Sequence, residues 1–446
     1  MAAIVRLCVA FYGDDFTGSS ENLAQFHRSG LRSKLYLRLP TLKEVFHDAE
    51  DFHVLGIAGT ARALDTGDMV AELTPAFELL AGLDCQFVQY KICSTFDSSE
   101  TVGSLGRALE LASKYFGRRG TAVLAATPDF GRYTAFGQHF ARYGADIDRL
   151  DRHPSMSTHP RTPMTEADLR LHLARQSKME FENIMLPSLR DEQECRKRVR
   201  DAFSASRGVI FDGAENADVR KSCKILWEIS RNQPVFALAA QGLAQNLGAH
   251  LAESGIAPNL QDVQTAIQPA SRLLVLSGSC ALQNGRQIDA AEAAGWALVP
   301  LDPGALVDER HRAQAVQRIV PTVADALQRG QPAIVYTARG REGRLESGDQ
   351  VPASVLGAVY SDIAKTLRGQ VEVSRVVFAG GDSSSYAVRL SGASALEISV
   401  FDKEQNSHVC RLSAPGDPSL DGLEVMLKGG QIGSDDYFLR ALSGTR

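Results

Sequence analysis

Short apolar runs alternate with amphipathic stretches through the first half of the chain. The apolar runs predict buried strands, and the helical spacing of apolar positions between them predicts helices, for example over Glu21–Ser29, Met69–Leu80 and Gly103–Tyr115. Because strands and helices alternate, we expect a mostly parallel sheet with helices on both faces. The strands are predicted at Ile4–Phe11, Lys34–Leu37, His53–Ile57, Phe87–Lys91, Thr121–Ala125, Val209–Phe211 and Val235–Leu238.

A second series with the same alternation begins near Arg272. Between the two series, residues 253–270 contain two prolines and few large apolar residues, which is typical of a domain boundary. The sequence therefore predicts an α/β fold with two Rossmann-like domains, residues 1–255 and 270–446. The predicted elements of the second domain are strands at Arg272–Leu276, Ala297–Leu301, Pro332–Tyr336, Arg375–Ala379 and Leu396–Val400 and a helix at Gln283–Ala294.

Between Tyr133 and Glu182 a polar stretch with histidines and prolines interrupts the alternation, and no strand is predicted there. Within it, Thr165 and Asp168 have the spacing of a capping box, with Thr165 as the N-cap of a helix.

The composition is that of a globular protein, with 44% hydrophobic and 23% charged residues. A net charge of -5 argues against nucleic acid as the main partner. No apolar run reaches the roughly 18–20 residues that a membrane span needs. We interpret the first residues as a core strand rather than a signal peptide.

The seven cysteines are scattered and form no C-x-x-C pair, which argues against a disulfide framework and a zinc site. We therefore expect free thiols and a cytoplasmic location. The histidines show no metal-binding spacing, and the sequence identifies no metal ligands.

Polar side chains follow several strands of the first domain, at the point where each strand ends. Because the carboxyl ends of parallel strands share one edge of a sheet, we expect these side chains to converge on one pocket. The cations of this pocket can bind a carboxylate, and its aspartates and hydroxyls can form hydrogen bonds with sugar hydroxyls. Together these groups indicate a site for a small hydroxylated acid. Each residue taken alone also fits a structural role, as a helix cap or a solvated strand end. The candidates are Asp14, Asp15, Arg62, Lys91, Ser94, Thr95, Asp97 and Arg132.

Glycines and serines follow the predicted strands of the second domain. Small residues let the backbone approach a ligand and leave N–H groups that bind phosphate at the start of a helix. No Walker A loop occurs in the sequence, and no strand end carries G-x-G-x-x-G. Each short glycine turn alone is also compatible with the end of a helix. The candidates are Ser277, Gly278, Ser279, Gly380, Gly381, Asp382, Ser383, Ser384, Gly416, Gly429 and Gly430.

Seven motifs span almost the whole chain: GDDFTGSSENLAQF (13–26), KICSTFDSS (91–99), GRYTAFG (131–137), LSGSC (276–280), FAGGDSSS (378–385), APGDP (414–418) and LKGGQIG (427–433). In this combination and spacing, the chain resembles the four-carbon acid sugar kinase family. The resemblance implies a sugar-acid-binding N-terminal domain, a nucleotide-binding C-terminal domain and an active site in the cleft between them. It also implies an ATP- and Mg²⁺-dependent kinase that phosphorylates a terminal hydroxyl of a short sugar acid.

One motif bears on the substrate. Many members acting on threonate or erythronate carry K-x-D-S-T-L-R-G, whereas this chain has K-I-C-S-T-F-D-S at 91–98. The second form resembles the branch acting on 3-oxo acids, 3-oxo-tetronate or 3-oxo-isoapionate. Because Asp97 replaces a carboxylate-binding arginine, we expect acid recognition to rest on Arg62, Lys91 or Arg132. Residues 239–244 depart from the family, where a Gly-Ser pair is usual, and are left out of the predicted site.

These residues lead to a mechanistic hypothesis. ATP with Mg²⁺ binds the loops of the second domain, the acid binds the first, and domain closure brings the acid's terminal hydroxyl in line with the γ-phosphate. Asp15 or Asp382 orients or deprotonates that hydroxyl, and the sequence does not choose between them.

Three alternatives stay open: a threonate or erythronate kinase, a small-acid dehydrogenase and a sugar-acid-binding protein. The missing G-x-G-x-x-G counts against the dehydrogenase, and the scattered cysteines count against an exported binding protein. The expected partners are the sugar acid and ATP, with no nucleic acid and no membrane, and the sequence leaves a homodimer open.

Overall fold

A computed structural model describes residues 7–83, 85–117, 120–256, 266–340, 351–402 and 407–445. Two compact units divide the chain, Met1–Asp262 and Val263–Arg446. Each unit contains a mainly parallel run of strands with helices, so the predicted α/β class is confirmed. Within the described ranges, no helix combines the length and apolar character needed to cross a bilayer.

The first unit is built on eight parallel strands. Its strands are β1 (Val9–Gly13), β2 (Ser33–Tyr36), β3 (Val54–Ala58), β4 (Phe87–Lys91), β5 (Gly120–Leu124), β6 (Arg132–Ala135), β7 (Gln138–Tyr143), β8 (Asp146–Arg149), β9 (Phe181–Ile184), β10 (Gly208–Phe211) and β11 (Val235–Ala239). Its helices are α1 (Phe16–His27), α2 (Leu42–Ala49), α3 (Thr66–Ala81), α4 (Leu105–Phe116), α5 (Leu169–Ala174), α6 (Glu192–Ser204), α7 (Asn216–Ser230) and α8 (Gln241–Glu253). The parallel strands follow the order β2-β3-β1-β4-β11-β5-β10-β9. Every residue of β1, β3, β4 and β11 is buried, as expected for strands covered by helices on both faces.

β6, β7 and β8 form a separate antiparallel sheet in the stretch where the sequence predicts no strand. That prediction is wrong because β8 is polar and largely exposed, and lacks the apolar alternation on which strand prediction depends. Asp212, just after β10, holds the β6–β7 turn by accepting hydrogen bonds from Phe136 N at 2.6 Å and Gly137 N at 2.9 Å. The small sheet is therefore fixed to the large one through a buried carboxylate.

The predicted capping box at Thr165 is also wrong. Asp168 is the N-cap of α5 and accepts hydrogen bonds from Arg170 N at 2.9 Å and Leu171 N at 3.2 Å. Thr165 Oγ1 instead accepts a hydrogen bond from Arg175. Asp168 caps the helix because it lies directly before the first helical residue, where its short carboxylate reaches the first backbone N–H groups.

The second unit combines parallel strands with an antiparallel edge. Its strands are β12 (Leu273–Ser277), β13 (Ala297–Pro300), β14 (Ala333–Tyr336), β15 (Arg375–Ala379), β16 (Ala395–Asp402), β17 (Ser407–Ser413) and β18 (Glu424–Lys428). Its helices are α9 (Leu282–Ala293), α10 (Gly304–Val307), α11 (Glu309–Gln328), α12 (Ala353–Val371), α13 (Gly381–Arg389) and α14 (Tyr437–Ser443). The order is β13-β14-β12-β15-β18-β17-β16, parallel from β13 to β18 and antiparallel from β18 to β16.

The described part of the first strand begins at Val9 rather than at the predicted Ile4, and residues 4–6 lie outside the described ranges. Elsewhere the predicted parallel strands agree with the structure to within a few residues, because most of their apolar runs are buried. β13 is more exposed, since Val299 alone of its four residues is buried.

Candidate active site

The first group of polar residues lies where β1 ends and α1 begins. α1 starts at Phe16, earlier than the predicted Glu21, because Asp15 caps it: Asp15 Oδ2 accepts a hydrogen bond from Gly18 N at 3.1 Å. Asp14 precedes the cap and is 1% exposed. This turn therefore serves as a helix cap and also brings two adjacent carboxylates to the edge of the sheet.

Arg62 joins these two carboxylates. It lies in a short 3-10 turn after β3, and its Nη2 is 2.6 Å from both Asp14 Oδ1 and Asp15 Oδ1. Burial raises the pKa of Asp14 to about 6, although the charge of Arg62 opposes the shift. Burial acts in the same direction on Asp15, but the charges of Arg62 and Lys91 hold the pKa of Asp15 below its ordinary value. The Arg62 guanidinium is thus committed to two carboxylates of the protein itself.

Lys91 ends β4 with only 2% of its surface exposed. Its ammonium lies beside the first turn of α1, since a Cβ added at Gly18 would be 2.6 Å from Lys91 Nζ and 2.4 Å from Asp15 Oδ1. A side chain at this position would therefore have to displace one of these charges. Glu21, three residues further along α1, is a carboxylate that the sequence analysis missed. Burial raises the pKa of Glu21, and the charge of Lys91 opposes the shift.

In the segment after β4, the side chains of Thr95 and Asp97 are hydrogen-bonded to each other. Thr95 Oγ1 donates to Asp97 Oδ1 at 2.6 Å, and Cys93 Sγ lies 2.9 Å from Thr95 Oγ1. Burial and the charge of Asp97 raise the pKa of the Cys93 thiol. The chain turns sharply between Thr95 and Asp97, because Phe96 has a φ of 60°.

Two buried histidines hold this segment, and the sequence analysis identified neither. His139 Nε2 donates to the Ser94 carbonyl oxygen at 2.8 Å, and its Nδ1 lies 2.9 Å from Thr134 Oγ1. His172 Nε2 lies 2.8 Å from Ser98 Oγ. Burial lowers the pKa of each histidine to about 4, so both are neutral near pH 7. No local spacing reveals these pairs, since the bonded residues are 45 and 74 positions apart.

Arg132, at the start of β6, differs from Arg62 in its partners. Its Nη1 donates to the carbonyl oxygens of Phe130 at 2.7 Å and Gly131 at 3.4 Å. Its Nε is buried and has no hydrogen-bond partner among the described residues. Burial lowers the pKa of Arg132, and the nearby charge of Asp97 opposes that shift. Arg132 therefore retains donor capacity that Arg62 has already used.

Residues 239–244, which the sequence analysis excluded, lie at the same edge, because β11 runs between β4 and β5. Gln245 Nε2 donates to Asp129 Oδ2 at 2.6 Å. The amide oxygens of Gln241 and Gln245 are buried and have no partner within the described ranges. They are acceptors available to the hydroxyls of a ligand. This edge also carries all eight predicted acid-site residues: Lys91 ends β4, Arg132 begins β6, and the others lie in the segments that follow β1, β3 and β4.

In the second unit, three strands end side by side. Ser277 is in register with Ala379, and Ala379 with Lys428. The loops that follow are hydrogen-bonded to the neighbouring strand ends: Gly278 N donates to Ala379 O at 2.9 Å, and Gly380 N donates to Lys428 O at 2.8 Å. The predicted loops at 277–279, 380–384 and 429–430 therefore lie together.

The glycines of these loops differ in the space around them. Gly380 has a φ of 134°, and a Cβ there would lie 2.6 Å from Ser383 Oγ. A Cβ at Gly430 would lie 2.2 Å from Ser279 Oγ. A Cβ at Gly381, the first residue of α13, would meet no described atom within 4 Å. The start of α13 therefore has open space beside backbone N–H groups, which suits a phosphate.

Several predicted hydroxyls already have partners in the protein. Ser384 Oγ donates to Gly381 O at 2.9 Å, and Ser277 Oγ accepts from Asn284 Nδ2 at 2.8 Å. The backbone of Asp382 lies in α13, but its side chain is outside what the structure describes, and so is the catalytic role predicted for it.

Gly416 does not lie with the other glycine loops. It is in the connection from β17 to β18, and Gly422 N, in the same connection, donates to Leu412 O at 2.9 Å. Because β17 runs antiparallel to β18, this connection is at the amino end of β18, the sheet edge opposite Ser277 and Gly380. The sequence placed Gly416 with the phosphate loops because a glycine motif does not reveal the direction of the strand before it.

No group of three or more His, Cys, Asp or Glu side chains in the described ranges is placed to hold a metal ion. The residues described here therefore do not form a protein-built Mg²⁺ site. Magnesium that accompanies a nucleotide is usually held by phosphate oxygens and water with one or two carboxylates.

Two family profiles match most of the chain. Residues 9–247 match a sugar-binding N-terminal domain, and residues 274–438 match a nucleotide-binding C-terminal domain. A 3-oxo-isoapionate kinase of Paraburkholderia graminis is 34% identical over 97% of this chain and 93% of that protein. A 3-oxo-tetronate kinase of Pseudomonas fluorescens is 28% identical over 98% of this chain and 96% of that protein.

Solved structures share the fold. A protein of Salmonella typhimurium LT2 matches with a TM-score of 0.80 at 20% identity, over 98% of both chains. A Haemophilus influenzae protein matches with a TM-score of 0.75 at 19% identity, over 97% of this chain and 98% of that chain. The profiles and the Paraburkholderia relative cover nearly all of the chain and confirm the resemblance found in the sequence. The chain therefore belongs to the four-carbon acid sugar kinase family, and it is a sugar acid kinase.

Proposed function

We propose that the enzyme transfers the γ-phosphoryl group of ATP to a terminal hydroxyl of a short 3-oxo sugar acid, such as 3-oxo-isoapionate or 3-oxo-tetronate. The names of the curated relatives support this substrate class. We propose that Mg²⁺ accompanies the ATP. Threonate or erythronate is the second candidate substrate, and the test below separates the two.

The unequal pairing of two arginines is the observation that carries the proposal. Arg62 is neutralised by Asp14 and Asp15, whereas Arg132 has a buried Nε without a partner among the described residues. A planar guanidinium with unused donors suits a carboxylate. We therefore assign the carboxylate of the acid to Arg132 and give Arg62 the role of fixing the two aspartates.

Asp97 is proposed to select the oxidation state of the substrate. Its carboxylate, oriented by the bond from Thr95 Oγ1, repels an acid group and accepts hydrogen bonds from hydroxyls or from a hydrated ketone. Lys91 and the amide oxygens of Gln241 and Gln245 complete the polar surroundings of the acid. Ser94 and Ser98 shape the segment through the two histidines.

Asp15 is proposed to orient the attacking hydroxyl. Its pKa lies below the ordinary value, so it is ionised and accepts a hydrogen bond at neutral pH, although it is a weak base. A weak base suffices because the loose transition state of phosphoryl transfer depends mainly on positioning and charge. Asp382 stays the second candidate for this role.

The nucleotide is assigned to the second unit, with its phosphates at the converging loops. The N–H groups of Gly278 and Gly380 already bond to neighbouring strand ends, so the phosphates are assigned to the start of α13, where the open space at Gly381 gives them room beside backbone N–H groups. Gly430 lies beside Ser279, and Gly429 precedes it in the same loop.

The substrate test is a panel of acids assayed for ADP release with ATP and Mg²⁺: the two 3-oxo acids, threonate and erythronate. We expect kcat/KM for a 3-oxo acid to exceed that for threonate by about 10-fold or more, as a site with matched polar groups allows. In Asp97→Asn this ratio should shrink, whereas Asp146→Asn, which alters an exposed carboxylate on β8, should leave it unchanged. Turnover of threonate alone would make the 3-oxo assignment wrong and leave the kinase assignment intact.

Location and assembly are proposals as well. All seven cysteines lie in the described ranges and none forms a disulfide, which supports a reducing cytoplasm. The homodimer that the sequence leaves open is tested by sedimentation velocity of the purified chain.

A further inference from the structure

Lys428 is a buried cation that none of the assignments above uses. It is the last residue of β18 and only 1% of its surface is exposed. Lysine is rarely buried this completely unless a partner balances its charge. Its surroundings therefore indicate what it is for.

The groups around the Lys428 ammonium are neutral. Nζ lies 3.1 Å from the Gly429 carbonyl oxygen and 3.4 Å from Asn284 Oδ1. The rings of Tyr437 and Phe438 each have their centroid 5.7 Å from Nζ. No described carboxylate forms an ion pair with it, and burial alone lowers its pKa to about 8. A charge in this setting is costly until an anion approaches it.

The same ammonium lies next to the proposed phosphate loops. Asn284, which accepts from Lys428, donates through Nδ2 to Ser277 Oγ at 2.8 Å and to Ser279 O at 3.4 Å. The Lys428 carbonyl oxygen accepts from Gly380 N at 2.8 Å. Lys428 is therefore bonded directly or through one residue to all three loops.

We propose that Lys428 supplies the positive charge of the nucleotide site, offsetting the charge of the phosphates bound on the loops around it. This inference rests on the proposed binding of ATP to the second unit. The site needs such a charge because its other described groups are backbone N–H groups, hydroxyls and glycines. With ATP bound, the Lys428 ammonium has the anion that the described protein groups do not provide.

The test compares ATP, ADP and AMP binding to the full chain by calorimetry, in the wild type and in Lys428→Met. Because the role is electrostatic, the loss should grow with the number of phosphates. We expect ATP to bind about 10- to 100-fold more weakly, ADP to lose less and AMP least. Lys365→Met removes a half-buried lysine of α12 in the same unit and should leave all three affinities unchanged.

The pH profile of the wild type gives a measurement that requires no variant. Phosphate binding favours the charged ammonium, so ATP affinity should fall as pH rises from 7 towards about 9.5, through the pKa of Lys428. Tyr437 packs against Lys428 from α14, and burial raises the pKa of its phenol, so it stays neutral in this range. In Lys428→Met the decline should be absent.

Equal losses for ATP, ADP and AMP, or an unchanged ATP affinity in Lys428→Met, would overturn the inference and indicate a structural role. If that variant fails to fold, Lys428→Gln, which keeps a polar group, takes its place, and a flat wild-type pH profile also rejects the proposal. Absence of any adenine nucleotide binding by the wild type would instead reject the proposed function itself.

Discussion

The two units of this kinase differ in the groups that they offer to an anionic ligand. The proposed acid site of the first unit contains charged side chains, and part of its charge is already neutralised within the protein, as Arg62 is by Asp14 and Asp15. The loops of the second unit are made of glycines, serines and backbone N–H groups, with Lys428 as a buried cation among them. The first site is therefore vulnerable to loss of charge, and the second to added volume.

The largest effect is expected from removing the charge of Arg132, which is not neutralised by an ion pair within the described part of the first unit. Arg132→Gln should cost about 2–4 kcal/mol of transition-state binding, or roughly 30- to 1000-fold in kcat/KM for the acid, because a charge-assisted contact is lost from a partly buried pocket. ATP affinity should stay the same. Steady-state kinetics and calorimetry measure the two quantities.

Arg142→Gln is the matched control for this prediction. Arg142 lies on the same small sheet, is exposed, and donates to Tyr133 Oη at 2.9 Å. It should behave as the wild type. Unchanged kinetics in Arg132→Gln would remove Arg132 from the acid site.

A larger side chain in the loops of the second unit should weaken ATP binding without a matching loss in the free energy of unfolding. Gly381→Val places its side chain in open space, so the free energy of unfolding should change by no more than about 1 kcal/mol. ATP affinity should nevertheless fall about 10- to 100-fold, because the side chain occupies the place of the phosphates. Acid binding should survive, as titration calorimetry with the acid alone would show.

Gly380→Ala is the contrasting variant. A φ of 134° and a Cβ 2.6 Å from Ser383 Oγ should destabilise the fold by about 1–3 kcal/mol, which denaturant unfolding measures. If Gly381→Val bound ATP normally, this loop would not hold the phosphates.

The last prediction concerns stability at acid pH, which we expect to differ between the units. The pKa of His139 and of His172 is about 4 in the folded state, below the ordinary value, so between about pH 6.5 and 4 the unfolded chain binds more protons. The free energy of unfolding therefore falls as pH falls. Asp14, with its pKa raised to about 6, acts in the opposite direction. Burial also lowers the pKa of His27 to about 4, so the histidines outweigh Asp14 and the first unit should be less stable at pH 5 than at pH 7.5.

The two tryptophans allow each unit to be followed separately, because Trp227 lies in α7 and Trp296 in the second unit. Trp296→Phe leaves a probe of the first unit, and Trp227→Phe leaves a probe of the second. The urea midpoint at pH 5 should fall more for the first probe, and His172→Gln should reduce that difference. Equal shifts for both probes would contradict the assignment of the acid-labile groups.

Much of the fold was predictable from the sequence because the central strands are buried on both faces. β4 was predicted with the bounds found in the structure, since Phe87, Val88 and Tyr90 are apolar and all five residues of the strand are buried. The β6–β8 sheet was not predicted, because its stability depends on contacts such as that of Asp212 with the β6–β7 turn, far apart in sequence. Hydrophobic periodicity carries no information about such contacts.

The composition of the site was predictable, but its internal pairing was not. Motifs placed Asp14, Arg62 and Arg132 at one edge, yet only the structure shows that Arg62 is neutralised and that Arg132 Nε has no partner among the described residues. Strand direction separates Gly416 from the other loops, and long-range hydrogen bonds reveal His139. Each of these depends on three-dimensional geometry that local residue patterns do not contain.

The turn between β7 and β8 offers a practical handle on this enzyme. Gly144 has a φ of 60° and no described atom within 4 Å of an added Cβ, and the adjoining residues are exposed. Exposed turns of this kind tolerate insertions. Arg132 lies on the other side of the same small sheet's central strand, at the start of β6. A fluorophore attached at position 145 would thus lie on the same small sheet as the arginine proposed to bind the acid, and its emission would report substrate binding from outside the proposed pocket.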